Sequence, residues 1–232
     1  MRRHHYKQYM EQYAVAPTSD SIVSRYERIS HGGGIWTDVT ANPANGVDGG
    51  SFLGAPPAAA WPTFDGGAFV AVGQPTKMDF AGAFSISFWV KQSTAAPAGW
   101  ERVIARPGAY LGNEVDSTGA CAGFLYRTGG SGGGTQSVTT GANTPLGVWR
   151  FVTFVNEGTG NDLVIYVDGA ESARAAGVGG VMNPVAVDLY LGNQPSLASG
   201  LQGDLDTARF YSRALSAAEI SRDYNAGKPA HP

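Results

Sequence analysis

Aromatic and planar polar residues occur in the middle of this sequence in a pattern that suits sugar recognition. They are Trp100, Tyr110, Asn113, Tyr126 and Arg127. A sugar ring offers an apolar C–H face and a rim of hydroxyl groups, so its site needs an exposed aromatic plate surrounded by a few hydrogen-bonding groups. These residues come from neighbouring segments and predict a glycan site where the segments converge.

Trp100 is the strongest of these candidates, because the residues just before it are mainly Gly, Pro and Ala and indicate exposure. Trp89 and Trp149 instead stand in apolar, strand-like runs, so we expect both to pack in the interior. A single aromatic residue in a turn-rich segment is also compatible with ordinary packing. The sequence leaves both interpretations of Trp100 open.

Catalysis by histidine has little support in the sequence. His4, His5, His31 and His231 lie in the first residues, in a connector and in the final residues. A general base needs a rigid shell of supporting residues, and these positions do not predict one. The cysteine, Cys121, stands in the apolar run CAGFLY and is interpreted as a small core residue.

Composition narrows the classes of protein to consider. The chain has 232 residues, a formal net charge of −3 and only 15% charged residues. Such a chain shows no broad basic surface for nucleic acid, and no apolar run approaches the roughly 20 residues of a membrane span. No signal-peptide pattern follows Met1. We therefore expect a protein made in the cytoplasm that binds neither nucleic acid nor a membrane.

The elements that position the candidate residues are predicted to be β-strands joined by turns. We predict strands near residues 67–72, 84–91, 101–106, 121–127, 148–155, 162–167, 186–191 and 203–211. The dipeptide Asp168-Gly169 predicts a tight hairpin. Ser216 and Glu219 form a capping box, which predicts a short helix that ends at a left-handed Gly227.

Four parts of the chain are predicted. They are an N-terminal anchoring arm (1–34), a surface-laid connector (35–60), a β domain (61–227) and a C-terminal tail (228–232). The arm is expected to be extended or partly helical, because apolar residues between about Ser19 and Ile29 fall near one helical face. The connector is rich in Pro, Gly and Ala and lacks periodicity, so we expect it to lie over a surface.

A longer pattern near the C-terminus resembles a known family. The pattern G-x-L-D-x-A-R-x-Y-x-R-x-L-S-x-x-E-I, from Gly203 to Ile220, resembles the last strand of laminin-G-like domains. Earlier segments agree in order: WPTFDGGAFVAV, FSISFWVK, WRFVTFV, LVIYVDG and LYLGN. The resemblance spans about Trp61 to Gly227. It implies an all-β, concanavalin A-like (laminin-G-like) jelly-roll sandwich of two antiparallel sheets with one short C-terminal helix.

The same resemblance raises the question of hydrolysis. Jelly rolls of this superfamily include β-glucan hydrolases with the motif E-x-D-x-x-E, which places carboxylates on one face of a strand. Here Glu114 and Asp116 match the first two acids, but Gly119 stands at the third position. The flanking Gly, Asn, Ser and Thr residues suggest a turn instead of a long strand. We predict that the protein is not an enzyme.

Calcium is the cofactor that the resemblance makes most plausible. Related jelly rolls hold Ca²⁺ with carboxylates and backbone carbonyl groups, which suit a hard cation. The acids at matching places are Asp65, Asp204 and Asp206. Each also has an ordinary structural interpretation, since Asp65 can form a turn with Gly66, and Asp206 can pair with Arg209. The sequence does not decide between a calcium site and these structural roles.

We interpret the chain as a non-catalytic virion structural or adhesive protein, most concretely a bacteriophage capsid decoration or tail-associated subunit. In this hypothesis the arm binds other subunits of the assembly by laying its backbone across them. The arm residues proposed for this contact are Arg2, Arg3, Tyr6, Lys7, Tyr9 and Tyr13. We expect a homo-oligomer or lattice-bound subunit that is synthesised in the host cytoplasm and displays its jelly roll at the virion surface.

The alternative is a carbohydrate-binding module or lectin that is not tied to a virion. It explains the fold equally well and makes cell-surface glycans the partner. It explains the polar arm less well. A glycoside hydrolase is the third hypothesis, and it needs a carboxylate pair that the sequence does not provide. Fold alone does not choose among these functions, because this scaffold supports many of them.

Overall fold

The computed structural model describes residues 22–32, 35–38, 40, 46–49, 63–93, 99–106, 111–116, 118–127, 134–141, 145–178, 180, 186–193 and 199–231. Its strands are β1 (Ile22–Gly32), β2 (Ile35–Asp38), β3 (Gly46–Gly49), β4 (Thr63–Asp65), β5 (Phe69–Gly73), β6 (Phe84–Gln92), β7 (Trp100–Arg106), β8 (Leu111–Asp116), β9 (Cys121–Arg127), β10 (Gly134–Thr139), β11 (Arg150–Asn156), β12 (Leu163–Val167), β13 (Ala170–Ala175), β14 (Leu189–Leu191) and β15 (Gln202–Tyr211). The α-helix is α1 (Ala217–Gly227).

The strands form one hydrogen-bonded path that folds into two packed antiparallel sheets. The path runs β10-β9-β8-β7-β14-β5-β3-β2-β1-β15-β6-β11-β12-β13, and β4 pairs with β15. We call the layer of β5, β14, β7, β8, β9 and β10 the open sheet. We call the layer of β1, β15, β6, β11, β12 and β13 the covered sheet. The predicted all-β sandwich is confirmed, and the predicted strands recur with ends shifted by a few residues.

Apolar side chains from both sheets fill the space between them. Buried members include Val70, Ile104, Val115, Cys121 and Val138 from the open sheet and Ile86, Phe88, Val90, Val152, Phe154, Ile165, Leu205 and Phe210 from the covered sheet. The sheets approach closely at Gly123, where a Cβ would lie 2.3 Å from a ring atom of Phe154. Cys121 is buried as predicted, and burial raises the pKa of its thiol to about 12.

A second apolar cluster lies on the far side of the covered sheet, beneath α1. It contains Trp89, Trp149, Phe151, Val155, Val164, Tyr166, Tyr211, Leu215 and Ile220. Both tryptophans are buried, as predicted. The predicted capping box at the start of α1 is confirmed, since Ser216 Oγ accepts from the Glu219 backbone N–H and the Glu219 carboxylate accepts from the Ser216 N–H. Because this cluster covers the outer face of the covered sheet and the inter-sheet core covers its inner face, β6 and β11 are buried on both faces.

An irregularity in β15 gives this strand a special register. The pairing with β6 shifts between Asp206 and Arg209, and Thr207 has a φ of 53°. A bulge of this kind changes the directions in which the neighbouring side chains point. Leu205 belongs to the inter-sheet core, whereas Asp206 contacts the segment after α1 and Arg209 lies 3.7 Å from Asp223 on α1.

The residues before the jelly roll add strands to the sandwich. The arm is expected to be extended or partly helical, and the extended alternative holds for Ile22–Gly32, which forms β1 and pairs with β15. An isolated helix of this length gains less than a strand that completes an open sheet edge. Part of the connector forms β2 and β3. Gly227 has a φ of −83°, not a left-handed conformation. It lacks a side chain because a Cβ there would lie 2.7 Å from Trp89 Nε1.

The residues after α1 continue the fold, since Lys228–Ala230 form one turn of 3₁₀ helix. Of the helices in the described residues, none combines the length and the hydropathy that crossing a bilayer requires.

Candidate functional site

The outer face of the open sheet carries the candidate site. In β5 and at the start of β7, partly exposed residues alternate with buried ones, as expected for a sheet with one face toward solvent. Partly exposed aromatic and charged residues stand on this face, and we call them the ligand face: Phe69, Trp100, Arg102, Asp116, Phe124 and Tyr190. Since α1 packs on the covered sheet, the open sheet is the layer that presents a face to a partner.

One half of the ligand face is built around Trp100. This residue begins β7 and pairs with Asp116 on β8. The Asp116 Oδ1 atom accepts hydrogen bonds from the N–H and hydroxyl groups of Thr118 and from the Ala120 N–H, at 2.6 to 2.9 Å. On the other side of β7, the Arg102 N–H donates to the Ser199 carbonyl oxygen at 2.7 Å. The backbone on both sides of Trp100 is therefore held in place.

The other half of the ligand face contains Phe69 and Tyr190 on β5 and β14. Their rings meet edge to face, with centroids 5.7 Å apart and an interplanar angle of 82°. The Tyr190 hydroxyl lies 3.3 Å from Asp188 Oδ2. Burial, together with the nearby Asp188 charge, raises the pKa of this hydroxyl, which keeps it neutral and able to donate a hydrogen bond.

The chemistry of the ligand face suits a polyhydroxylated ligand. Aromatic rings offer flat apolar surfaces that match the C–H face of a sugar, and a few fixed polar groups set its orientation. Arg102 supplies planar N–H donors, and Asp116 supplies a carboxylate. No nucleophile is needed for this arrangement to bind a ligand.

The predicted glycan residues are only partly brought together. Trp100 lies on the ligand face. Tyr126 lies on β9, two residues along the strand from Phe124, and Arg127 is its neighbour, which pairs with Gly134. Asn113 lies on β8, where it pairs with Ile104 and Gly123. The residue of β8 that pairs with Trp100 is Asp116. Tyr110 lies outside the described residues.

The three acids predicted for calcium have separate partners. Asp65 Oδ1 accepts from the N–H groups of Gly67 and Ala68, both at 2.8 Å, which is a tight turn. Asp204 accepts from the Thr63 hydroxyl at 2.6 Å, and burial raises its pKa. Asp206 pairs with His231.

Asp206 is poorly placed for such a site, because its side chain has no exposed surface and Oδ2 lies 3.0 Å from His231 Nε2. Within the described part of the chain, no three His, Cys, Asp or Glu side chains are grouped so that they could hold a metal ion. A calcium site that uses Asp65 or Asp204 stays a prediction.

Glu101 is a functional candidate that the sequence interpretation missed. Only 1% of its surface is exposed, and burial raises the pKa of its carboxyl to about 7. One carboxylate oxygen accepts from Gln92 Nε2 at 3.0 Å and from the Gln202 N–H at 3.3 Å. The signal in the sequence was the acid in the run WERVI, which alternation places on the inner face of a strand.

His231 is the second residue whose setting was not foreseen. It is buried, and its ring stacks on Trp89 with centroids 4.0 Å apart and an interplanar angle of 4°. Both ring nitrogens are engaged, one by Asp206 and one by the Gly227 carbonyl oxygen. The sequence interpretation expected no rigid shell around the histidines, and for His231 the structure shows one. The ring is nevertheless unsuited to general-base catalysis, because neither nitrogen is left to take a proton from a substrate.

Two further predictions concern the acids Glu114 and Asp116, which match part of a hydrolase motif, and the residues of the N-terminal arm. Glu114 and Asp116 lie on strand β8, so the expectation of a turn there is wrong. The strand ends at Asp116, and Gly119 follows in the turn to β9 with a φ of 79°. The proposed anchoring residues Arg2, Arg3, Tyr6, Lys7, Tyr9 and Tyr13 lie outside the described residues.

Solved structures with a fold similar to this one include domains of bacterial toxins. The binding domain of Paraclostridial Mosquitocidal Protein 1 has a TM-score of 0.69 at 13% identity, covering 90% of this chain and 52% of that one. The receptor-binding domain of botulinum neurotoxin mosaic serotype C/D has a TM-score of 0.68 at 14% identity, covering 89% and 51%. The present chain therefore spans about half the length of these structures.

A shorter domain matches over nearly its whole length. Domain 4 of AbnA, a GH43 extracellular arabinanase from Geobacillus stearothermophilus, was solved in complex with arabinotriose. Its TM-score is 0.60 at 16% identity, covering 88% of this chain and 98% of that domain. At these identities the likeness shows the fold alone.

The family assignment comes from the sequence itself. No curated protein sequence matches the chain. The family Laminin_G_3, described as the concanavalin A-like lectin/glucanases superfamily, matches residues 64–221. This match includes strands of both sheets and the first half of α1. The chain therefore belongs to the Laminin_G_3 family of the concanavalin A-like lectin/glucanases superfamily.

Proposed function

We propose that this protein is a non-catalytic binding module that recognises a glycan on its ligand face. The observation that carries the proposal is the difference between the two sheets. The central strands of the covered sheet, β6 and β11, are buried on both faces, whereas the open sheet presents Trp100, Tyr190 and Phe69 together with Arg102 and Asp116. Aromatic rings with a few fixed polar groups beside them are the lining that small-ligand sites use.

Ligands of similarly folded domains support this choice of partner. The GH43 domain 4 structure contains arabinotriose, and the binding domain of botulinum neurotoxin DC was solved with SialylT. Entry of botulinum neurotoxin type C depends on two ganglioside molecules. These properties belong to those proteins, and they show only that such folds are able to carry glycan sites.

The absence of hydrolysis is part of the proposal. A retaining or inverting glycosidase needs two carboxyl groups that flank the scissile bond. Glu114 and Asp116 have no third acid after them, since Gly119 stands at that position. The Asp116 carboxylate is already committed to the turn at Thr118 and Ala120. We therefore expect binding of an oligosaccharide without cleavage.

Display on a bacteriophage virion is a further, separate part of the proposal. It rests on the polar sequence of the arm. Since Ile22–Gly32 forms β1 and pairs with β15, this part of the predicted arm belongs to the sandwich. The arm residues that we propose for the anchor all lie in residues 1–21. Deleting these residues is expected to leave a folded module that no longer joins its assembly, and unchanged incorporation would contradict the anchor.

The glycan proposal is tested with an oligosaccharide array that includes arabinotriose and sialylated oligosaccharides. We expect the wild-type protein to bind at least one class and to leave it uncleaved. Trp100→Ala is expected to weaken binding about tenfold or more, as loss of a central aromatic anchor does. Its stability should change by no more than about 1 kcal/mol, because Trp100 is a partly exposed residue at a strand end.

A matched control is Val148→Ala. Val148 is apolar and 44% exposed, and it lies outside the ligand face. This variant should bind as the wild type does. Equal weakening by both substitutions, or a large loss of stability in Trp100→Ala, would contradict a site centred on Trp100. Release of shorter sugars from a bound oligosaccharide would contradict the non-catalytic assignment.

A further inference from the structure

Glu101 joins three strands directly behind the ligand face. It belongs to β7 in the open sheet, and its Oε2 atom accepts from Gln92 on β6 and from Gln202 on β15, both in the covered sheet. The Gln202 carbonyl oxygen in turn accepts from the Ser93 N–H at 2.7 Å. This carboxyl is therefore a polar tie between the two layers of the sandwich.

Burial makes the ionised form of the Glu101 carboxyl energetically unfavourable. Its Oε1 atom is buried and has no hydrogen-bond partner among the described residues. Ionisation leaves that oxygen charged without a donor, which is costly in a low-dielectric interior. Burial outweighs the two hydrogen bonds and raises the pKa of the carboxyl to about 7. The group therefore changes charge near neutral pH.

Burial, and not a neighbouring charge, accounts for the raised pKa of the Glu101 carboxyl. Val115 on β8 pairs with Glu101, and Cys121 on β9 pairs with Val115. The Cys121 thiol has a pKa of about 12 and is therefore neutral. Arg150, on β11, forms an ion pair with Asp168. Lys91 and Asp204 are register partners across β6 and β15, and Arg102 and Asp116 lie on the ligand face. The other charged residues of the adjoining strands are Glu114, the register partner of Arg102, Arg106, which pairs with Asp79, Asp206, which contacts His231, and Arg209, which lies near Asp223.

The position of Glu101 links its charge to the ligand face. The residues on either side of it in β7 are Trp100 and Arg102, which point to the outer face. The pairing of β7 with β8 shifts between Arg102 and Ile104, so the start of β7 is the irregular part of the strand. An ionised Glu101 is relieved when this end of β7 separates from β6 and β15 and admits water. The same movement displaces Trp100 and Arg102.

We propose that Glu101 is a positioning residue whose protonated form holds Trp100 and Arg102 in the binding geometry, so that glycan binding weakens as the pH rises through neutrality. The inference rests on the proposed function. It predicts that affinity for the oligosaccharide with the strongest array signal falls about fivefold or more between about pH 6 and about pH 8, in the usual range of coupling between two sites.

The test measures binding of that oligosaccharide by calorimetry across this pH range. Glu101→Gln keeps the size and hydrogen-bonding capacity of the side chain without a charge, so its affinity should be flat and close to the wild-type value at about pH 6. Glu171→Gln is the matched control. Glu171 is exposed and paired with Arg174, which lowers its pKa away from this range, and this variant should keep the wild-type profile.

A second readout needs no ligand. The fluorescence difference between wild type and Trp100→Phe reports the surroundings of Trp100, and it should change with a midpoint near pH 7 in wild type and not in the Glu101→Gln background. If no oligosaccharide binds but this transition is present, the proposed function fails and the positioning role survives. If an oligosaccharide binds with equal affinity at both pH values, or if Glu101→Gln retains the pH dependence, the positioning role is wrong.

Discussion

The Nε2 atom of His231 lies 3.0 Å from Asp206 Oδ2, and neither side chain has exposed surface. The Nδ1 atom lies 2.8 Å from the Gly227 carbonyl oxygen. A carbonyl oxygen only accepts, so Nδ1 donates to it, and the contact with Asp206 engages the other ring nitrogen. The ring also stacks on Trp89. This pair fastens the residues that follow α1 to the covered sheet.

Replacing Asp206 with Asn should therefore destabilise the fold strongly. The amide of Asn brings buried N–H donors to the place where Asp206 Oδ2 contacts His231 Nε2, and a buried polar group left unsatisfied costs about 1–3 kcal/mol. The measurement is urea unfolding of the wild type and Asp206→Asn. Asp162→Asn is the matched control, since Asp162 is paired with Arg174 at an exposed site and exposed ion pairs contribute little. Similar losses in the two variants would show that the pair with His231 does not fasten this segment.

Local signals explain why the sandwich was predictable from the sequence. The strands between Phe69 and Tyr211 combine alternating or apolar runs with turn residues, and Ser216 and Glu219 mark the start of α1 through their own side chains. The sequence leaves a helix and an extended segment open for the stretch from Ile22, because its apolar spacing fits both. The unpaired edge of β15 decides between them, and that edge is remote in sequence.

The candidate site was less predictable for the same reason. Trp100 could be found, because its exposure follows from the residues beside it. The roles of Glu101 and His231 depend on partners far along the chain, since Glu101 bonds to Gln202 and His231 bonds to Asp206. A bulge at Thr207 directs Asp206 toward His231, and no residue pattern in the sequence predicts a left-handed backbone conformation at a threonine.

The raised pKa of Glu101 predicts how stability varies with pH. The folded protein holds this proton up to about pH 7, whereas the unfolded chain releases it near its ordinary value of 4.5. The folded state therefore binds more protons between these values, and the free energy of unfolding falls as the pH rises through this window. A shift of this size corresponds to about 3 kcal/mol.

Glu101→Gln should remove that slope. Thermal unfolding between about pH 4 and about pH 8 is the measurement, with the largest gain in stability over wild type expected at the alkaline end. Glu171→Gln, which changes an exposed acid, should retain the wild-type slope. A Glu101→Gln variant that is less stable than wild type at about pH 8 would contradict the cost that we assign to the buried charge.

The close approach of the sheets at Gly123 predicts sensitivity to one added methyl group. A Cβ at this position would lie 2.3 Å from a ring atom of Phe154, which is buried with no exposed surface. Overpacking of this kind costs about 1–3 kcal/mol. Gly123→Ala should lower the urea midpoint accordingly, whereas Gly141→Ala, where a Cβ meets nothing within 4 Å, should not. Equal midpoints would mean that the two sheets separate easily here.

The start of α1 provides a prediction for the acid side of the pH range. Hydrogen bonds from Arg213, with further bonds from Ser216, lower the pKa of Glu219 to about 2. A lowered pKa means that the folded protein releases this proton more readily than the unfolded chain, so the stabilisation is present above about pH 4.5 and is lost as the pH falls toward 2.

Ser216→Ala removes the hydroxyl of the capping box and should cost about 1 kcal/mol at neutral pH. The cost should shrink in acid, because the Ser216 hydroxyl donates to the Glu219 carboxylate and a protonated Glu219 is a weaker acceptor for it. Urea unfolding at neutral and acidic pH measures both values. Ser221→Ala, in the middle of the same helix, is the control and should change stability less at either pH, because Ala is the better helix former. A Ser216→Ala cost that is constant with pH would show that the hydroxyl and the Glu219 carboxylate act independently at this helix terminus.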